Sequence, residues 1–252
     1  MKQRFLTALL TLIAWIFSLQ VSSQINNYIG FKGGICIPNL TSGSDNQNPL
    51  SSGYSSRTGA DFGILAIFQF SKWLAFQPEI IYSEQGGKHN GMQAIPNPYG
   101  SVPPYFYADF KNTTKLNYLQ IPLMARVDFN LEKNLNLYAN AGGFAGFLLS
   151  AKSVSRGSSF IYADNMGQQP VSPSAQSFDT AEDIKSSIHK FNAGVIGAIG
   201  LSYKLNSGEI FIEGGGNYGL VDIQKYKADG TNYAGAATIH VGYVHTFNFK
   251  KS

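Results

Sequence analysis

The sequence predicts an all-β chain, an eight-stranded antiparallel up-and-down transmembrane β-barrel, on three observations. Only 13% of the 252 residues are charged while 44% are apolar, whereas an ordinary soluble domain carries roughly 25% charged residues. Apolar and polar residues alternate with a period of two through eight segments. The connections between those segments alternate strictly between very short and long, as short internal turns and long external loops do in an outer-membrane barrel.

The N-terminus comes first. Lys2 and Arg4 precede an apolar run from Phe5 to Leu19, and Val21-Ser22-Ser23 forms a small-residue cleavage site. This is the pattern of a secretory signal peptide, residues 1–23. The apolar run is shorter than the roughly 20 residues of a spanning helix, and no later run is longer. Residues 24–252 then form one domain. Removing Lys2 and Arg4 lowers the net charge of +4, leaving too weak a positive field to indicate nucleic acid. One cysteine, Cys36, excludes an internal disulfide framework and reads as a small buried strand residue.

Strands are expected near 28–37, 58–70, 73–85, 115–129, 135–149, 189–205, 209–220 and 236–249. The links at Ser71-Lys72, Asn130 to Asn134 and Asn206 to Gly208 are short and built from turn formers. The stretches 38–57, 86–114, 150–188 and 221–235 are long and rich in Ser, Asn, Gly, Pro and Tyr. Pro122 falls mid-strand, where it removes a ladder donor and predicts a local irregularity.

Aromatics decide which face meets lipid. Phe70, Phe76, Phe129, Tyr203 and Phe247 lie on the apolar face near the short-turn end, and Tyr82, Phe147, Phe191 and Tyr218 near the long loops. Two such rings match the interfacial girdles of membrane barrels. The opposite face mixes glycines (142, 146, 194, 200, 215 and 219) with scattered charges, which suits an interior just wide enough for side chains. Parity places Lys32, Asp61, Glu79, Arg126, Asp128, Lys204 and Glu213 inside. Buried charges require partners, and the expected links are Glu79 with Arg126 and Lys204 with Glu213.

Several segments carry a family resemblance: F-K-G-G-I at 31–35, R-T-G-A-D-F-G-I at 57–64, F-Q-P-E-I-I-Y-S-E-Q-G at 76–86 and L-N-Y-L-Q-I-P-L at 116–123. G-G-F-A-G-F-L-L-S-A-K at 142–152 and N-Y-G-L at 217–220 continue it. The chain resembles the PorT-type outer-membrane β-barrels, the porin family of Bacteroidota, over nearly all of residues 24–252. The resemblance implies an outer-membrane location and little about activity. Barrels of this kind also end on an aromatic read by the barrel-insertion machinery. Here Phe247 and Phe249 are followed by Lys250-Lys251-Ser252.

Chemical motifs are sparse. G-G-G-N-Y-G at 214–219 satisfies G-x-G-x-x-G, yet it lies within a strand and leads into a loop, where the dinucleotide fingerprint needs a following helix. His89, His189, His240 and His245 lack metal-ligand spacing, so no metal or cofactor is expected. Asp183, Ser187 and His189 are close in sequence, which by itself gives no nucleophile, base and orienter geometry. Asp179-Thr180-Ala181 resembles a short O-glycosylation signal.

The second long loop sets Tyr99, Tyr105, Phe106, Tyr107 and Phe110 among prolines. Stiffened aromatics are a candidate contact surface for a protein or glycan partner, or they pack on the rim and extend the hairpin. The functional expectation is a non-enzymatic surface or assembly protein, held in outer-membrane lipid, with a polar, charge-paired and largely plugged interior. Two alternatives are a narrow channel for small solutes or ions and a soluble lipocalin-like ligand-binding barrel.

Overall fold

A computed structural model describes residues 26–43, 48–98, 100 and 102–247. The signal-peptide reading, Tyr99 and the C-terminal Phe249 to Ser252 lie outside the described residues. In chain order the strands are β1 (Asn27–Ser42), β2 (Gly59–Gln69), β3 (Leu74–Pro96), β4 (Tyr105–Asn130) and β5 (Leu135–Arg156). Three short ones follow, β6 (Ser158–Ser159), β7 (Gln176–Ser177) and β8 (Thr180–Asp183), then β9 (Phe191–Lys204), β10 (Gly208–Gly219) and β11 (Asn232–Phe247). A 3-10 turn, Lys227–Asp229, precedes β11.

Eight strands close a ring in the order β1-β2-β3-β4-β5-β9-β10-β11, and β11 returns to β1. Every pairing in the ring is antiparallel. The ring of described strands therefore closes on itself, so the backbone donors and acceptors of the wall pair between neighbouring strands except at local lapses in register, the condition for crossing hydrocarbon. β6 and β7 pair only with each other, and β8 adds to β5 above the ring. The 150–188 stretch thus contains strand residues that leave the barrel count unchanged.

The external ends run further than the sequence suggests. β3, β4 and β5 are 23, 26 and 22 residues long, against the roughly 9 to 11 that cross a bilayer. Most of 86–114, expected as loop, is ladder, with β3 and β4 paired as far as Pro96 and Tyr105. Its composition is loop-like because outside lipid a two-stranded ribbon needs no apolar face. Gly86, at a φ of 118°, and Gly91, at 100°, supply left-handed turns of the backbone that side-chain-bearing residues rarely adopt.

Pro122 has the expected local effect. The β3–β4 register runs to Pro78 opposite Leu123 and resumes at Ile81 opposite Gln120, so the pairing lapses beside both prolines. Pro122 still faces Phe144 on β5.

Outward side chains are apolar and exposed, among them Phe31, Ile35, Phe62, Ile64, Leu123, Val195, Ile199, Ile212 and Val241. Outward aromatics pair across strands: Phe62 with Tyr82 at 5.0 Å, Phe147 with Phe191 at 5.8 Å and Tyr218 with Tyr233 at 6.3 Å between centroids. Inside, two apolar layers lie toward the ends. One joins Leu40, Leu116, Tyr118, Leu148 and Ala234 to the loop residues Ile188 and Ile223. The other joins Tyr28, Leu65, Ile67, Tyr138, Phe211 and Val244. Aromatics here cover glycines on neighbouring strands. A Cβ on Gly200 would lie 2.3 Å from Tyr138 Cζ, and one on Gly242 would lie 2.4 Å from Phe211 Cζ. Those glycines provide the space that lets rings lie flat against the inner wall.

Candidate functional site

Inward parity brings charged side chains from five strands into one layer. Lys32, Asp61, Glu79, Arg126, Asp128 and Glu213 are all buried, each at most 6% exposed. Lys32 Nζ on β1 lies 2.8 Å from Glu79 Oε2 on β3 and 2.6 Å from Glu213 Oε1 on β10. Asp61 accepts from Ser83 Oγ at 2.7 Å and meets His240 Nε2 at 3.0 Å. The other ring nitrogen of His240 is 3.4 Å from Glu213 Oε1. Arg126 Nε donates to Asp128 Oδ1 at 3.0 Å, and Asn136 Nδ2 donates to the same oxygen at 2.7 Å.

Neither expected link forms as a direct contact. Glu79 and Arg126 are joined through Gln77, whose Nε2 donates to Glu79 Oε1 at 2.7 Å and whose Oε1 accepts from Arg126 Nη1 at 3.2 Å. Lys204 is exposed and does not meet Glu213. The tight turn in which Leu205 N–H donates to Gly208 O at 2.8 Å sets Lys204 opposite Glu209, and Glu213 falls opposite Gly200. Lys204 instead lines the rim at the short-turn end with Tyr28, Arg126, Asp128 and Glu209.

Besides Ser83 and Asn136, the layer has three further members that were not among the sequence candidates. His240 follows from the alternation of β11, where Ile239 and Val241 are exposed and His240 buried. Gln77 shares the parity of Glu79. Tyr138 lies under the guanidinium of Arg126, 3.7 Å from ring centroid to Cζ, and donates to Glu213 Oε2 at 3.0 Å. It occupies an inward position that apolarity alone assigns to packing.

Two cavities beside the charged layer are water-sized. A cavity beside Lys32, Asp61, Gln120, Asn140, Glu213 and His240 holds about 10 Å³, and one beside Arg126, Asp128, Asn136 and Glu209 about 20 Å³. Each admits about one water. Gln120 Oε1 and both polar atoms of the Asn140 amide have no protein partner and belong to residues lining the first cavity, and Asn136 Oδ1 and Asp128 Oδ2, both acceptors, belong to residues lining the second.

At the outer mouth the expected contact surface is divided. Tyr105, Phe106 and Tyr107 are half-buried on the extended β4. Tyr107 exchanges two backbone hydrogen bonds with Tyr162, at 2.9 and 2.8 Å. Phe110 is buried and stacks on Phe178 at 4.4 Å with the rings 4° from parallel. It therefore anchors the third loop and is not presented to a partner. The reason is the alternation of the extended ladder, which turns Ala108 and Phe110 inward. Above it, Asp164 accepts from the backbone N–H groups of Met166 at 2.8 Å and Gln169 at 2.6 Å.

Asp183, Ser187 and His189 do not converge. Asp183 Oδ1 accepts from Lys185 N–H at 2.8 Å, while Ser187 and His189 engage Lys225 and Ile223 through their backbones. The Gly214 to Gly219 run lies within β10, and a Cβ on Gly215 would lie 2.3 Å from Gly197 O. Cys36 is buried, with its S–H donating to Glu84 O at 3.2 Å. Among the described residues no group of His, Cys, Asp and Glu has the arrangement of a metal site.

A model of the family described as outer membrane protein beta-barrel domain matches residues 20–225. No curated protein matches the chain. Among solved structures, Ail, the attachment invasion locus protein of Yersinia pestis, is similar at 12% identity, over 87% of this chain and 99% of that one, with a TM-score of 0.37. Neisserial surface protein A is similar at 13% identity over 88% and 97%, with a TM-score of 0.40. The outer membrane protease OmpT from Escherichia coli is similar at 9% identity over 91% and 100%, with a TM-score of 0.46.

Proposed function

Because the chain belongs to the outer membrane protein β-barrel domain family, we propose that it is a closed outer-membrane anchor that presents a structured external surface to partners outside the cell. The observation that carries this reading is the filled lumen. A charge-paired layer lies with two apolar layers around it, and the cavities left beside the charges hold about 10 and 20 Å³. A hydrated ion or small solute is larger than either. The external apolar layer includes Ile188 and Ile223 from two different loops, so the loops close the barrel as well as rising from it.

We further propose membership of the PorT-type barrels, on the motifs Q-P-E at 77–79 and Y-L-Q-I-P at 118–122. What supports it is that Gln77, Glu79, Tyr118 and Gln120 all turn inward and are buried, so these motifs specify lumen packing. The protein or glycan contact is assigned to Tyr105, Phe106 and Tyr107, with Phe110 serving as the anchor beneath. An enzymatic role is not part of this reading, since the loop Ser, His and Asp side chains do not meet.

Osmotic swelling of vesicles carrying the refolded barrel tests the anchor reading. Vesicles in iso-osmotic small sugars are expected to swell no faster than empty ones. Swelling that grows with barrel density and falls with solute size would assign the barrel to the channels.

A further inference from the structure

One row across the lumen sets a histidine between two carboxylates. Glu213 on β10 is in register with His240 on β11, His240 with Gly34 on β1, Gly34 with Asp61 on β2, and Asp61 with Ser83 on β3. Gly34 shares the parity of the buried Lys32 and Cys36, so no side chain stands between its two neighbours in the row. The buried His240 ring therefore reaches past β1. Its Nε2 lies 3.0 Å from Asp61 Oδ1, and its Nδ1 lies 3.4 Å from Glu213 Oε1.

Without this histidine the charges of the layer do not balance. Asp61, Glu79, Asp128 and Glu213 are buried carboxylates, while Lys32 and Arg126 are the lysine and arginine buried with them. Lys32 is shared by Glu79 and Glu213, and Arg126 engages Asp128. Glu209, also buried, stands apart at the rim, where Lys72 and Lys204 line the same cavity. Among the described residues Asp61 has no lysine or arginine within ion-pair distance. A buried charge left without a partner is strongly destabilising, and His240 is the group placed to compensate it.

Both ring contacts need a hydrogen. A neutral imidazole has one N–H and one bare nitrogen, and a bare nitrogen facing a carboxylate oxygen sets lone pair against lone pair. One contact is met by the hydrogen of the neutral ring, and the other requires an additional proton. Its place follows from the partners of Asp61. Gln85 Nε2 donates to Ser83 Oγ at 2.7 Å, and Ser83 donates onward to Asp61 Oδ2 at 2.7 Å, which favours Asp61 as the anion. Imidazole is also the stronger base of the two. Glu213 is likewise supplied with donors, from Lys32 Nζ at 2.6 Å and Tyr138 Oη at 3.0 Å.

We propose that the lumen contains a bound proton: His240 is held as an imidazolium, with one N–H directed at Asp61 and the other at Glu213, and serves as the third cation of the charged layer. The groups around the ring are Asp61 on β2, Glu213 on β10 and Lys32 on β1, with Glu79 on β3 joined through Lys32 and Tyr138 on β5 through Glu213. Loss of the second proton would set a lone pair against a carboxylate, so the row joins β2, β11 and β10 only while both hydrogens are present. The charge state is a property of the ring and stands whether or not the lumen conducts.

Nitrogen NMR of the imidazole tests this in the full barrel refolded into lipid nanodiscs. His89→Asn/His189→Asn/His245→Asn leaves His240 as the one histidine of the chain, and retarded mobility when unheated confirms folding. At about pH 7.5, roughly one unit above the ordinary imidazole value, both ring nitrogens are expected to carry a directly coupled hydrogen. One protonated and one bare nitrogen would overturn the proposal, whether the proton is then absent or on the Asp61 carboxyl. Two protons seen only in sodium-free buffer would assign the compensating charge to a bound metal cation and would also overturn it. Asp61→Asn, in the same background, is expected to return the ring to one protonated nitrogen at that pH. A folded Asp61→Asn barrel whose ring stays doubly protonated would contradict the compensating role.

Discussion

Lys32 Nζ bridges Glu79 and Glu213, at 2.8 and 2.6 Å, and neither carboxylate is on a strand adjacent to β1. β2 separates Lys32 from Glu79, and β11 separates it from Glu213. One ammonium therefore ties three strands across the lumen. Lys32→Met would leave two buried carboxylates without their shared cation, a loss expected to cost about 3–5 kcal/mol. Lys204→Gln, at an exposed rim position, is expected to change stability by less than about 0.5 kcal/mol. Urea midpoints for unfolding from vesicles measure both.

Gln77 is the connector between Glu79 and Arg126. Gln77→Leu removes a bond to each of two buried charges and is expected to cost about 1–3 kcal/mol. A double-mutant cycle isolates the connection. The coupling between Glu79→Gln and Arg126→Met is expected to be measurable with Gln77 present and to vanish in the Gln77→Leu background.

The bed of Tyr138 is Gly200. Adding one methyl there places a carbon 2.3 Å from Tyr138 Cζ, so the ring must leave its position between Arg126 and Glu213 or the wall must shift. Gly200→Ala is expected to destabilise by about 1–3 kcal/mol. Combined with Tyr138→Ala, which removes the ring, the glycine substitution is expected to cost far less, and unfolding of the four proteins decides the point.

Outside the membrane, pH acts on the third loop through Asp164. What desolvation there is raises its carboxyl, but the backbone N–H groups of Gln168, Gln169, Met166 and Gly167 outweigh it and hold the carboxyl below its usual value. A depressed carboxylate contributes order above its unfolded value, and that order is lost as pH falls through the lower folded value. Amide-exchange protection at Met166, Gln168 and Gln169 is expected to fall on acidification below the ordinary carboxylate range. Asp164→Asn is expected to remove the dependence.

Much of this architecture is readable from alternation alone. A period of two locates the eight wall strands, both aromatic rings and the inward charges other than Lys204, because a lipid-facing wall permits few exceptions on its outer face. Parity does not reach across the lumen. Glu79 and Arg126 are on neighbouring strands in sequence order, but strand tilt and a single amide, Gln77, decide how they meet. Lys204 shows the same limit along the axis, where the turn at Leu205 to Gly208 fixes the register and so the partner. The ladder beyond residue 86 was hidden for another reason. Once the strands leave lipid the hydrophobic pattern stops while the backbone pairing continues, so composition reads as loop.

The central claim is that side chains close the lumen, and single-channel recording in a planar bilayer tests it most directly. Barrels shown to be inserted, by retarded mobility when unheated, are expected to give no discrete conductance at voltages that leave the bilayer intact. Stepwise openings in proportion to inserted barrels would contradict the account, because no ion crosses a layer whose free space is one water wide without moving Lys32, Arg126 or the apolar caps.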